Sequence, residues 1–321
     1  MSTLLENFAK YTQVVADTGD FNVISTLKPQ DATTNPSLIL GAALKPEYDS
    51  VVNKAIEYAK SHCAADKSDL MTILTDKLAV SFGKAILEVV PGLVSTEVDA
   101  RLSFDTEKMI EKAHTLIRMY EEEGVSKDRI LIKIASTWEG MKACKVLQAE
   151  GIHCNMTLLF TFCQAVAAAN SNATLISPFV GRIRDWYMKK EGRTEAYPAL
   201  EDPGVKSVRN IYSYYKKFQI PTIVMGASFR SVDEVLGLAG CDKLTIGPNW
   251  LKNMKETVAE LPYTPLSPST VNYEGEQIEM TEETFRWQLN EDAMATDLLA
   301  DGIRKFAKDT EKLEAFLAQK L

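Results

Sequence analysis

Apolar residues in this chain fall into short runs of strand length, separated by longer stretches with helical period. The most informative run is Ile130-Leu131-Ile132-Lys133-Ile134-Ala135, between the charged turn Ser126–Arg129 and a helix start at Ser136. Strand side chains alternate, so Ile130, Ile132 and Ile134 share one face, and Leu131, Lys133 and Ala135 share the other. Further strands are expected at Gln13–Asp17, Asp31–Ser37 (stopped by Pro36), Leu93–Val98, Ile152–Leu158, Ala173–Val180, Pro221–Gly226 and Cys241–Gly247. Helical spacing predicts a short amphipathic helix over residues 2–10. It also predicts a helix-rich span from Pro46 to about Val90, broken near Asp66-Lys67-Ser68. Asp105 caps a helix whose stripe is Met109, Ala113, Leu116, Ile117 and Tyr120, and which ends at Gly124. Ser136 with Glu139, and Ser231 with Glu234, read as capping boxes. An alanine-rich helix runs to Asn170, and two terminal helices occupy about 281–321.

Strands alternating with helices point to a parallel sheet covered by helices, most economically a closed (β/α)8 barrel. The expectation is one domain over residues 1–321, with additional N- and C-terminal helices, those of about 281–321 packing on the barrel. Both faces of a barrel strand are buried, which places Lys133 in the interior. The competing reading is a lysine on the wet face of an antiparallel strand. A buried ammonium is costly unless it is paired or neutral, and a neutral lysine amine can attack a carbonyl to form a Schiff base.

Composition narrows the function. The chain is 45% hydrophobic with a net charge of −8 and no basic cluster, which argues against nucleic acid or an anionic membrane as partner. Any phosphate specificity must then rest on a few placed arginines. Five scattered cysteines without a Cys-x-x-Cys pair suggest reduced thiols in a cytoplasmic protein. Leu4 and Leu5 are too short an apolar run for a signal peptide, and no stretch reaches transmembrane length. His62, His114 and His153 lack ligand spacing, no acidic calcium loop appears, and neither a phosphate-binding glycine loop nor a dinucleotide fingerprint occurs. The expectation is therefore no metal and no cofactor.

Polar residues gather near the expected strand ends: Asp17, Asn35, Glu97, Lys133, Asn155, Thr157, Ser177 and Arg230, with Arg182 just beyond. Each alone admits a structural reading. Asp17 and Asn35 could cap turns, and Glu97 could pair with Arg101. Asn155 and Thr157, two apart and so on one face, could bond loop backbone. Arg182 and Arg184 share a charged segment, where a solvated helix face explains at least one. Arg230 precedes a capped helix start, which favours an anion. Together they supply a nucleophilic amine, two carboxylates for proton transfer, hydroxyl-binding amides and phosphate-binding arginines. That set suits carbon–carbon bond chemistry on a phosphorylated sugar through an imine.

Four segments carry a family resemblance. Asp31-Ala32-Thr33-Thr34-Asn35-Pro36-Ser37-Leu38, Ile132-Lys133-Ile134-Ala135-Ser136-Thr137, Cys154-Asn155-Met156-Thr157-Leu158 and Ile176-Ser177-Pro178-Phe179-Val180-Gly181-Arg182 together resemble the longer, class I transaldolases, over nearly the whole chain. The resemblance implies a cofactor-free transferase of the non-oxidative pentose phosphate pathway. It would move a dihydroxyacetone unit from sedoheptulose 7-phosphate to glyceraldehyde 3-phosphate, giving erythrose 4-phosphate and fructose 6-phosphate. By matching motif, Lys133 forms the Schiff base, Asp17 is the acid/base for bond cleavage, and Glu97 with Thr157 holds the water for proton transfer. Asn35, Asn155 and Ser177 would hold the dihydroxyacetone hydroxyls. Arg182 and Arg230, helped by Ser228, would bind phosphate, and Phe179 would line the pocket wall. A cytoplasmic homodimer is also implied. The rivals are a fructose 6-phosphate aldolase that releases free dihydroxyacetone, a non-catalytic phosphosugar-binding barrel and a metal-dependent aldolase.

Overall fold

A computed structural model describes residues 2–321. Its eight strands are β1 Gln13–Asp17, β2 Asp31–Thr33, β3 Val94–Glu97, β4 Ile130–Ala135, β5 Cys154–Leu159, β6 Leu175–Pro178, β7 Ile223–Gly226 and β8 Lys243–Ile246. They form one closed barrel in sequence order, every neighbouring pair parallel, with β8 returning to β1. The (β/α)8 barrel is the expected fold, and most strands are trimmed by a residue or two at their ends.

The alternation read in β4 is what builds the barrel. Ile130, Ile132 and Ile134 point outward into the main core, among Met109, Leu116 and Leu147 of the surrounding helices. Burying such a side chain contributes on the order of 2 kcal/mol, so the outward face alone holds the strand against its helices. The opposite face fills the interior in layers. Near the N-terminal ends of the strands, Asp31 and Lys243 form a buried ion pair. Val15, Leu131, Leu175 and Met225 make an apolar plug. Lys133 stands one inward position further along β4 than Leu131.

Several helices escaped the periodicity: Phe21–Leu27, Pro36–Ala43, Val180–Glu191, Pro203–Lys217 and Pro248–Glu256. Two reach the mouth of the barrel from the loops after β2 and β6, where short elements follow the strands too closely for a long apolar stripe. One capping box also differs. Thr137, not Ser136, caps the helix Trp138–Ala149 by accepting from Gly140 N–H, while the Ser136 hydroxyl donates to Thr157 O at 2.7 Å. Glu139 turns away to pair with Arg286. At the other proposed box, Ser231 accepts from Glu234 N–H as expected, but the Glu234 carboxylate accepts from Arg230 N–H.

The terminal helices are Glu282–Glu291 and Ala293–Ala318. The second crosses the C-terminal end of the barrel. Met294, Leu299, Ile303 and Phe306 join Leu158, Phe160 and Phe179 in an apolar cluster there. Gly302 sits at the crossing: a Cβ on it would lie 2.6 Å from a Leu158 methyl, so a larger residue would require that side chain or the helix to shift. Leu158 itself holds φ at 54°, a left-handed conformation uncommon for leucine, where the β5–β6 register shifts. No helix among the described residues is long and apolar enough to cross a membrane.

Candidate active site

Strand register assembles the site. Glu97 of β3 pairs with Lys133 of β4, and Lys133 pairs with Asn155 of β5. Three chain segments far apart in sequence thus present a carboxylate, an amine and an amide in one layer above the apolar plug. Lys133 is 4% exposed, so the wet-face reading does not hold. Its Nζ lies 3.0 Å from Glu97 Oε2 and donates to Thr34 O at 3.2 Å. The Glu97 contact is a charge pair without hydrogen-bond alignment, and Oε2 has no aligned donor. The simpler partner for Glu97, Arg101, is taken: it forms ion pairs with Asp99 and Glu314 instead.

Asn155 is fixed on both sides. The Ser177 hydroxyl donates to its Oδ1 at 2.7 Å, and its Nδ2 donates to Ser95 Oγ at 3.0 Å. Thr157, two residues on and on the same face, is fully buried and its hydroxyl has no partner. Asn35 does cap a helix, accepting from Leu38 N–H at 2.9 Å, and it also lines the cavity. Asp17 caps nothing, because the following helix is capped by Asp20.

A small cavity partly open to solvent lies beside these groups; Asp17, Asn35, Lys133, Ser177, Phe179 and Arg182 border it. Burial pushes the Asp17 and Glu97 carboxyls above the ordinary carboxylate range, against the opposing pull of the Lys133 and Arg182 charges. By surface area Asp17 is only half-buried, yet the narrow cavity it borders still desolvates it.

Arg182 stacks over Phe179, its guanidinium carbon 4.8 Å from the ring centroid, and one of its terminal nitrogens is buried without a partner. Its pKa is lowered, first by burial and then by the repelling charge of Arg230. Arg182 makes no ion pair of its own among the described residues, so its buried guanidinium is a positive charge facing the cavity. Gly181 permits the close approach of Ser228: its N–H donates to Ser228 O at 2.9 Å, and a Cβ there would meet that oxygen at 2.4 Å. Ser228 holds φ at 62°, and its hydroxyl lies 3.4 Å from an Arg230 nitrogen. Arg230 itself is exposed and pairs with Asp185 at 2.8 Å. The helix it precedes, Val232–Leu236, is five residues long and capped by its own side chains. Any anion binding there rests on the guanidinium, and not on the helix end that the sequence suggested.

The structure therefore brings Lys133, Glu97, Asp17, Asn35, Asn155, Thr157, Ser177, Phe179 and Arg182 to one end of the barrel, with Ser228 and Arg230 at its rim. Sequence reasoning missed Ser95, Thr33, Thr245 and Phe306. Ser95 and Thr33 carried a usable signal, since each lies two residues before a chosen side chain and hence on the same strand or loop face. Phe306 carried none, because it reads as one apolar position in an amphipathic surface helix.

Comparisons with known proteins bear on the family of the chain. A family profile described as Transaldolase/Fructose-6-phosphate aldolase matches residues 14–317. Transaldolases of Shewanella baltica (strain OS185) and Methylobacillus flagellatus are each 53% identical over 321 residues, covering all of this chain and 99% and 100% of theirs. A probable transaldolase of Drosophila melanogaster is 57% identical over 314 residues, 97% of this chain and 94% of its own.

Proposed function

The chain belongs to the transaldolase/fructose-6-phosphate aldolase family and is a transferase of the transaldolase type, and from that premise we propose its substrates and chemistry. It transfers a dihydroxyacetone unit from sedoheptulose 7-phosphate to glyceraldehyde 3-phosphate through an imine on Lys133, within the non-oxidative pentose phosphate pathway. The observation that carries this reading is the buried Lys133 amine, 3.0 Å from Glu97 and bordering a cavity that Arg182 also lines.

The Lys133 amine adds to the ketose carbonyl, and loss of water gives the iminium. Glu97 moves the protons of that step. Its unaligned oxygen and the unpaired Thr157 hydroxyl support a water held between them. Asp17 takes the proton from the hydroxyl on the carbon β to the iminium. The bond between the α and β carbons breaks, its electrons pass to the iminium, and an aldehyde leaves. The enamine left on Lys133 then attacks the second aldehyde, and hydrolysis returns the amine. Asn35, Asn155 and Ser177 hold the hydroxyls of the three-carbon unit, and Phe179 forms the wall. Arg182 and Arg230, with Ser228, hold the phosphate, for which the unpartnered buried nitrogen of Arg182 is the support.

Borohydride reduction in the presence of fructose 6-phosphate tests the central step. Intact mass and peptide mapping should find a reduced three-carbon adduct on Lys133, and erythrose 4-phosphate added before the borohydride should lower its yield by draining the unreduced intermediate into sedoheptulose 7-phosphate. Folded protein that yields no adduct would overturn the imine.

The terminal helix contributes to the apolar cluster at the barrel mouth, which supports reading residues 1–321 as one functional domain. The resemblance further supports a cytoplasmic homodimer. Light scattering should return twice the 35.7 kDa chain mass, and a monomer at micromolar concentration would remove the dimer.

A further inference from the structure

The side chains around the cavity come from the barrel strands and from the segments that directly follow them, except at one described residue. Phe306 belongs to the terminal helix Ala293–Ala318 and is 3% exposed. The centroid of its ring lies 5.7 Å from Lys133 Nζ and 5.6 Å from the guanidinium carbon of Arg182. The ring thus borders the cavity within about 6 Å of both the amine and the buried arginine. A three-carbon unit bound to Lys133 therefore lies close to this ring.

The helix that carries the ring is tied down along its length. Trp186 Nε1 donates to Asp297 at 2.9 Å, the Ser37 hydroxyl bonds Asp309, and Arg101 forks onto Glu314. Ser37 lies in the helix that Asn35 caps, so this tie joins the lid to a loop of the site. Gly302 lets the helix descend onto Leu158, one turn before Phe306. These contacts hold an apolar ring within cation–π range of Lys133 and Arg182, on the wall of the cavity.

We propose that Phe306 is a specificity-determining residue that screens the Lys133-bound enamine from solvent and so sets the partition between transfer and release. The inference rests on the imine reading above. The enamine has two fates at the same carbon. In transfer, that carbon forms a bond to the aldehyde carbonyl carbon, and the aldehyde oxygen takes a proton. In release, the carbon itself takes a proton from solvent to give the iminium of dihydroxyacetone. Water then adds across the carbon–nitrogen double bond, which breaks to free dihydroxyacetone and the lysine amine. Product hydrolysis after transfer also consumes water, so the deciding event is whether solvent or the aldehyde reaches the carbon first.

The test compares wild type with Phe306→Ala and Phe306→Leu. Free dihydroxyacetone is measured from fructose 6-phosphate alone, and sedoheptulose 7-phosphate is measured with erythrose 4-phosphate added. The alanine variant should raise the ratio of release to transfer by roughly tenfold or more, the scale on which an apolar wall discriminates. The leucine variant keeps part of the screen and should raise the ratio by a smaller step, roughly two- to threefold, which still reads the role if the alanine variant does not fold. A merely structural role would lower both activities together and leave their ratio unchanged, and that result in either folded variant would overturn the proposal. Borohydride trapping separates the two claims. An adduct on Lys133 with an unchanged ratio removes only the role of Phe306, whereas wild type without an adduct removes the imine itself.

Discussion

Lys133→Ala and Lys133→Arg are expected to abolish turnover, by roughly 10⁴-fold or more, while the protein stays folded. Alanine has no amine. Arginine keeps a positive charge beside Glu97, but its guanidinium does not deprotonate and forms no imine. The fold should tolerate both changes for a reason visible in the site. Removing one partner of a buried ion pair is costly chiefly because the other charge is stranded. Burial already pushes the Glu97 carboxyl upward, so without Lys133 it can take a proton and become neutral. Circular dichroism and a thermal melt report the fold, and transfer to erythrose 4-phosphate reports the chemistry. A folded variant within tenfold of wild type would remove Lys133 from its role.

Asp17→Asn and Asp17→Ala should slow bond cleavage by roughly 10²–10⁴-fold with little change in substrate binding, as the loss of an acid/base group does. A defect confined to KM would contradict this. The pH dependence has a definite sign. The folded-state pKa of Asp17 is raised, mainly by desolvation. A raised carboxyl contributes stability below its unfolded value, near 3.8, and that contribution is lost as pH rises through the folded value. At neutral pH the ionised Asp17 is therefore a burden on the fold. Asp17→Asn should raise Tm by roughly 1–3 °C at pH 7 while destroying activity, and the gain should vanish at pH 3. The acid limb of the kcat profile should likewise lie above the ordinary carboxylate range. A variant less stable than wild type at pH 7 would mean that Lys133 and Arg182 outweigh desolvation.

What the sequence by itself determined is the set of local alternations. A period of two placed Lys133 on the face opposite Ile130, Ile132 and Ile134, and eight such runs between helices left a barrel as the economical closure. Asp17, Glu97, Asn155 and Ser177 were legible for the same reason, as polar side chains at or near the C-terminal ends of apolar strands.

Partnership was decided elsewhere. Sequence spacing offered Arg101 to Glu97, four residues away, but strand register gave Glu97 to Lys133 and left Arg101 to Asp99 and Glu314. Asn155 is held by Ser95 and Ser177, each on a different strand. The helix end after β7 is filled by its own Glu234, so Arg230 stands on its charge alone. Phe306 reaches Lys133 across 173 positions of chain because Gly302 and the left-handed Leu158 let a terminal helix settle on the barrel mouth. Local pattern states which face a side chain takes, because alternation is a property of one strand. Which group it meets there depends on register and closure between strands, and on what covers the open end. Those are set by packing among segments far apart in sequence, and only the folded barrel contains them.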